Sequence, residues 1–175
     1  MVDCADPQER VYIAQGEQAI GDRQALVIST ILGSCVAVCL WDAGRRLGGM
    51  NHILVPEGGT SDTRALGYGA KAMETLINGM MKMGANRGNL VAKVFGGASI
   101  VAGLSNIGDR NAAFVFDYLK VEGIACHSSS VGGVRARQIR FWPESGRVRQ
   151  RYVKRTEAPL DQLDIPIETN GLELL

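Results

Sequence analysis

The fold of this chain is decided by two stretches of sequence, Ser-Cys-Val-Ala-Val-Cys-Leu-Trp at residues 34–41 and Gly-Gly-Met-Asn-His-Ile-Leu-Val at residues 48–55. Both are rich in apolar and β-branched residues, as β-strands are. The segment between them begins with Asp-Ala-Gly-Arg at residues 42–45, which is typical of a turn. We therefore predict that the two stretches form the arms of one β-hairpin.

Cys35 and His52 give this predicted hairpin its chemical interest. If the loop consists of residues 43–44, counting back along both arms places the two side chains directly opposite each other, with Cβ atoms about 4.5–5.5 Å apart. A thiol with the reference pKa of about 8.5 is mostly protonated at neutral pH, and a neighbouring imidazolium stabilises the nucleophilic thiolate. The pattern therefore indicates a cysteine nucleophile with a histidine base. The simpler alternative is that Cys35 packs as a small hydrophobic core residue.

The residues before Cys35 carry little side-chain bulk. Gly33 and Ser34 leave their backbone open, so amide N–H groups around them are candidates for an oxyanion site. A β-bulge at Gly48-Gly49 would break the predicted alignment of Cys35 with His52, because a bulge inserts one extra residue into one arm.

Composition restricts the class of protein. The chain has 175 residues and a net charge of +1, which fits one domain and does not suggest nucleic acid. Four cysteines show no paired spacing and no metal-binding motif, and the N-terminus lacks the pattern of a secretion signal, so we expect a reduced, cytoplasmic protein without a metal. No apolar run approaches the roughly 20 residues that span a bilayer, so we expect no direct membrane insertion.

Strand and helix patterns predict one α/β (α+β) domain at residues 10–155, with a flexible N-terminus at 1–9 and a C-terminal tail at 156–175. Two helices are predicted among many strands. One carries an apolar stripe and ends at Gly84, and the other covers about residues 108–120. The first stripe comprises Leu66, Ala70, Met73, Ile77 and Met80. This content predicts helices that cover a stacked or strongly bent mixed sheet.

The hairpin sequence, extended to residues 30–42 and 48–56, resembles the signature of the CheD family of chemoreceptor glutamine deamidases. Further resemblances follow in the family's order at residues 96–98, 107–111, 132–137 and 145–148. The resemblance covers about residues 10–155. It implies a three-layer α-β-β arrangement.

The resemblance also implies an activity, in which a cysteine hydrolase without a cofactor converts glutamines on the cytoplasmic helices of chemotaxis receptors into glutamates. The nucleophile corresponds to Cys35 and the base to His52. The third catalytic position corresponds to Thr30, with Ser29 as the alternative. A second function from a different class is that of an adaptor, which binds receptors or a CheC-type phosphatase with little or no turnover.

A cationic segment lies near the end of the predicted domain. Residues 135–155 contain eight basic residues and one acidic residue, and residues 135–141 and 147–153 predict a second hairpin. We expect Arg147, Arg149 and Arg151 to dock a glutamate-rich receptor surface. The alternative is a solvated charged strand that deters aggregation. The segment lacks the interleaved aromatic residues expected of a nucleic-acid interface.

Overall fold

The structure, a computed structural model, is described at residues 8–56, 63–100 and 106–154. In chain order the elements are β1 (Glu9–Tyr12), β2 (Gln18–Gly21), β3 (Leu26–Leu32), β4 (Val36–Asp42), β5 (Leu47–Ile53), α1 (Thr63–Lys82), a short 3-10 helix (Arg87–Asn89), β6 (Val91–Gly96), α2 (Ile107–Val121), β7 (Ala125–Val131), β8 (Arg137–Trp142) and β9 (Arg147–Tyr152).

The nine described strands form two mixed sheets. The first sheet has the order β1-β3-β8-β9 and the second has the order β2-β5-β4-β6-β7. Each sheet contains one parallel pair, β1 with β3 in the first and β6 with β7 in the second, and the other neighbours are antiparallel. The two predicted hairpins are therefore present, one at the centre of the second sheet and one at an edge of the first.

The strands of the central hairpin are buried on both faces, which shows how the layers are stacked. On β4, Val36, Val38 and Leu40 pack in one core with α1 and α2. The alternate residues of β4, Ala37 and Cys39, point to the opposite face and pack in a second core with residues of the first sheet. The helices therefore cover one face of the second sheet and the first sheet covers the other. The three-layer α-β-β arrangement that the family resemblance implies is confirmed.

The apolar stripe predicted for α1 is correct in its second half and wrong at its start. Met73, Ile77 and Met80 are fully buried, whereas Leu66 is 42% exposed. The buried face begins instead with Ala65 and Gly69. A Cβ at Gly69 would lie 2.6 Å from the ring of Phe114 on α2, so close contact between the helices selects a small residue there. In the described part of the chain, no helix is both long and apolar enough to cross a membrane.

The predicted register of the central hairpin is wrong by two residues. Asp42 pairs with Leu47, so the loop contains four residues and Ala37, not Cys35, is opposite His52. The Asp42 carboxylate causes the difference. It accepts hydrogen bonds from the backbone N–H of Arg45 at 3.2 Å and from that of Asn86 at 2.8 Å, which holds a wider turn than a two-residue loop allows.

Candidate active site

The structure brings Cys35, His52 and Thr30 into the layer between the two sheets. All three are buried, with exposed fractions of 1%, 2% and 0%. Side chains alternate along a strand, so a register error of two residues leaves Cys35 and His52 on the same face of the sheet. Cys35 lies immediately before β4, diagonally across from His52, and such diagonal neighbours remain within reach of long side chains.

A chain of hydrogen bonds fixes the His52 imidazole. The Thr30 hydroxyl lies 2.7 Å from the backbone oxygen of Ile13 and 2.8 Å from His52 Nδ1. A carbonyl oxygen can only accept, so the hydroxyl donates its proton to Ile13 and must accept from Nδ1–H. The proton of neutral His52 therefore resides on Nδ1, and Nε2 carries the lone pair that can act as a base.

The two candidates for the third position, Thr30 and Ser29, lie on opposite faces of β3. On β3 the residues Ile28, Thr30 and Leu32 are fully buried, and Ile28 and Leu32 pack in the core between the sheets. Ser29 lies on the alternate side of the strand and is half-buried. Only Thr30 of this pair therefore faces His52.

Asn51 lies next to His52 but belongs to the other side of the sheet. Its Oδ1 accepts from the backbone N–H of Val38 at 3.1 Å, and its Nδ2 lies 3.6 Å from the sulfur of Met73 on α1. The side chain therefore packs beneath the helices, as the alternation along the strand predicts.

The backbone before Cys35 is held in place by its carbonyl groups. Each of the three carbonyls there accepts a hydrogen bond: Gly33 from Ala98 N at 2.9 Å, Ser34 from Asn111 Nδ2 at 2.9 Å, and Cys35 from Gly97 N at 2.8 Å. In a trans peptide the N–H points away from the C=O of the same unit. The amides of Ser34 and Cys35 therefore point away from Ala98 and Asn111.

Gly96 permits the close approach of β6 to this backbone. Its φ is +114°, and a Cβ at this position would overlap the carbonyl oxygen of Cys35. The Gly96-Gly97 pair thus packs directly against the backbone of Cys35.

The turn between β1 and β2 closes the site from one side. Gln15 Oε1 lies 3.8 Å from Cys35 Sγ, within hydrogen-bond reach of a thiol. The backbone of the turn is bonded to that of His52, through Gly16 N to His52 O at 2.9 Å and His52 N to Glu17 O at 3.1 Å. No periodicity or motif in the sequence singles out Gln15.

The described cysteines differ in their surroundings. Cys39 is 1% exposed, and burial raises the pKa of its thiol well above the ordinary value despite the nearby Lys93 ammonium. Cys126 lies at the surface. The part of it that is buried raises the pKa of its thiol, and a hydrogen bond with the Ser128 backbone lowers that pKa by a smaller amount. Among the cysteines of the described ranges, Cys35 is the one placed with Thr30 and His52.

The three arginines predicted to dock a partner lie along β9 and are exposed. Arg147 stacks over the ring of Trp142 at 4.2 Å, and Arg151 Nε donates to Gln138 Oε1 at 2.7 Å. The intervening Val148 packs inward against the core between the sheets. The arginines therefore occupy the outer face of the first sheet. Within the described residues, no group of three or more His, Cys, Asp or Glu is arranged to hold a metal.

In this site a thiol lies near an imidazole, and a hydroxyl holds the imidazole by a hydrogen bond. Cysteine hydrolases use such an arrangement to activate the thiol as a nucleophile. The family model described as CheD chemotactic sensory transduction matches residues 54–152.

Curated relatives extend the similarity over the hairpin. The chain is 49% identical over 160 residues to the "Probable chemoreceptor glutamine deamidase CheD" of Caulobacter vibrioides, covering 89% of this chain and 86% of that protein. It is also 49% identical over 162 residues to the protein of the same name from Agrobacterium fabrum, with coverage of 92% and 88%. The chain belongs to the CheD family. Among solved structures, Bacillus licheniformis YfiH aligns with a TM-score of 0.44 and 16% identity, covering 65% of this chain and 49% of that one.

Proposed function

We propose that this protein is a chemoreceptor glutamine deamidase, a cysteine hydrolase that converts glutamine side chains of chemotaxis receptors into glutamates in the cytoplasm. The names of its relatives support the reaction and the substrate class. The observation that carries the proposal is the hydrogen-bonded chain from Ile13 through Thr30 to His52, which turns the basic nitrogen Nε2 away from Thr30. An adaptor would need neither these hydrogen bonds nor the thiol.

The first half of the reaction forms a thioester. His52 Nε2 takes the proton of Cys35, and the thiolate attacks the side-chain carbonyl carbon of the substrate glutamine. The carbonyl oxygen becomes an oxyanion, for which the amides around Gly33 and Ser34 are the candidate donors. The His52 imidazolium then protonates the departing nitrogen, so that the carbon–nitrogen bond breaks and ammonia leaves.

The second half regenerates the enzyme. His52, again neutral, removes a proton from water as the oxygen attacks the thioester carbon. The carbon–sulfur bond breaks, Cys35 recovers its proton from His52, and the product is a glutamate side chain. Thr30 accepts from Nδ1–H throughout, so it stabilises the imidazolium that forms in each half-reaction.

Deamidation of a receptor cytoplasmic fragment, followed by mass spectrometry, tests the catalytic pair. Each converted glutamine gains about one dalton, and we expect Cys35→Ala and His52→Ala each to abolish conversion. The double variant should be little worse than either single variant, because residues that act as one unit have strongly non-additive effects. Conversion by His52→Ala at the wild-type rate would show that His52 is not part of this unit.

We propose that the outer arginines of β9 dock the receptor. This proposal is supported by the exposure of the three arginines on one face of the sheet and by the charge complementarity expected with a glutamate-rich receptor surface. Changing Arg147, Arg149 and Arg151 together to Glu should weaken receptor binding and flatten its salt dependence. The matched control changes three exposed lysines of α1 and α2, Lys71, Lys82 and Lys120, to Glu. Equal weakening by both triple variants would indicate only a net-charge effect.

A further inference from the structure

The turn between β1 and β2 places a glutamine of this chain at its own nucleophile. Gln15 is exposed, yet its Oε1 lies 3.8 Å from the sulfur of Cys35, which is 1% exposed. The group that contacts the thiol is a side-chain carboxamide. This is the same chemical group that the proposed substrate presents.

Hydrogen bonds on both sides fix the position of this turn. Within it, the Glu17 carboxylate accepts from Ala14 N at 2.7 Å, and Glu17 N donates to the Ala14 carbonyl at 3.0 Å. At one end Ile13 N donates to Ser29 O at 2.9 Å, and at the other the backbone is paired with His52. The contact of Gln15 with Cys35 therefore comes from a turn that is anchored to both sheets.

We propose that Gln15 is a gate that holds the place of the substrate carboxamide over Cys35 and must be displaced before a receptor glutamine can react. The proposal rests on the deamidase function proposed above. A thiol that donates its hydrogen to Gln15 Oε1 is held in its neutral form, because a hydrogen bond made by the protonated state disfavours the thiolate. The gate thus contacts the sulfur and favours its neutral form.

The geometry does not favour attack of the thiol on Gln15 itself. The contact joins Sγ to the carboxamide oxygen, as in a hydrogen bond. Attack requires the sulfur to approach the carbonyl carbon to about 3–3.5 Å. A receptor glutamine is not tied to the turn and can present its carbon once Gln15 moves aside.

Alkylation of Cys35 by iodoacetamide tests the gate without requiring deamidase activity. In Gln15→Ala and in Gln15→Asn, whose shorter side chain cannot keep the same reach, the rate at Cys35 should rise about three- to tenfold, the range of one lost hydrogen bond. Gln24→Ala is the matched control, since Gln24 is an exposed glutamine in the turn before β3. Peptide mass analysis measures each site, and the rate at exposed Cys126 should not change. An unchanged rate at Cys35 in both Gln15 variants would overturn the gate.

Receptor kinetics give the second readout. A group that only competes with substrate raises KM, so Gln15→Ala should lower KM several-fold and leave kcat unchanged. A fall in kcat would instead assign Gln15 to the reaction itself and refute the gate. If Cys35→Ala retained activity while Gln15→Ala still accelerated alkylation, the proposed catalytic role of Cys35 would fail and the gate over the thiol would stand.

Discussion

Substitution of Thr30 by valine removes one oxygen from the centre of the proposed site and keeps the shape of the side chain. In the native site that oxygen donates to Ile13 O at 2.7 Å and accepts from His52 Nδ1 at 2.8 Å. Valine satisfies neither partner. The His52 proton can then move to Nε2, and a ring protonated at Nε2 cannot accept the proton of Cys35.

The expected losses follow from these two bonds. Each buried group left without its partner costs about 1–3 kcal/mol and two groups are affected, so we expect the free energy of unfolding to fall by about 2–6 kcal/mol. The catalytic loss is that of the bond to the imidazolium, about 1.5–3 kcal/mol, which lowers kcat about 10- to 100-fold. Thr30→Ser restores the hydroxyl and should recover most of both quantities.

The assay combines urea unfolding with deamidation kinetics on a receptor fragment, measured at concentrations where each variant is folded. Nitrogen chemical shifts of the His52 ring report the tautomer directly, and we expect Nδ1–H in the wild type and a shift toward Nε2–H in Thr30→Val. Ser29→Ala is the neighbouring control on the other face of β3 and should leave kcat unchanged. Wild-type kcat in Thr30→Val, with Nδ1–H retained, would refute the reasoning.

Three further predictions concern the support of the site and its second buried thiol. Asn111→Leu removes the hydrogen bonds that the amide makes with Ser34 O and with the backbone N–H of Val55, so the free energy of unfolding should fall by about 2–6 kcal/mol in urea titrations. Gly96→Ala should lower Tm far more than Gly84→Ala, because both glycines have positive φ but only Gly96 contacts the Cys35 backbone; equal losses would argue against that contact. The folded-state pKa of Cys39 is raised above its unfolded value, so its contribution to stability is complete below about pH 8.5 and is lost above it at about 1.4 kcal/mol per pH unit. Urea titrations from pH 8 to 10 should show this slope in the difference between wild type and Cys39→Ala, and a difference independent of pH would contradict it.

The strands and helices of the fold were predictable because they depend on local pattern, whereas their three-layer arrangement was implied by the family resemblance. Runs of β-branched residues defined the strands, and apolar spacing defined both helices. The first turn of α1 was not predictable in this way. Leu66 continues the apolar spacing, but the ring of Phe114 on another helix selects Gly69 for the contact. A single sequence does not reveal where two helices approach most closely.

In the candidate site, too, local pattern was predictable and long-range contacts were not. The face shared by Cys35 and His52 survived the register error because the period of a strand is two. The error itself came from Asp42, whose carboxylate bonds to Asn86, 44 residues along the chain. Asn111 lies in a stretch that resembles the family, at residues 107–111, but its bond to Ser34 spans 77 residues. Long-range hydrogen bonds of this kind leave no periodic signal in the sequence.

The most direct measurement compares Cys35→Ala with Cys39→Ala in deamidation of the same receptor fragment, read glutamine by glutamine from the gain of about one dalton. Both cysteines are buried on the same side of the hairpin, and only Cys35 lies beside Gln15 in the site of Thr30 and His52. We predict no conversion at any glutamine by Cys35→Ala and wild-type conversion by Cys39→Ala. Conversion by Cys35→Ala at the wild-type rate would contradict a cysteine-based mechanism at this site.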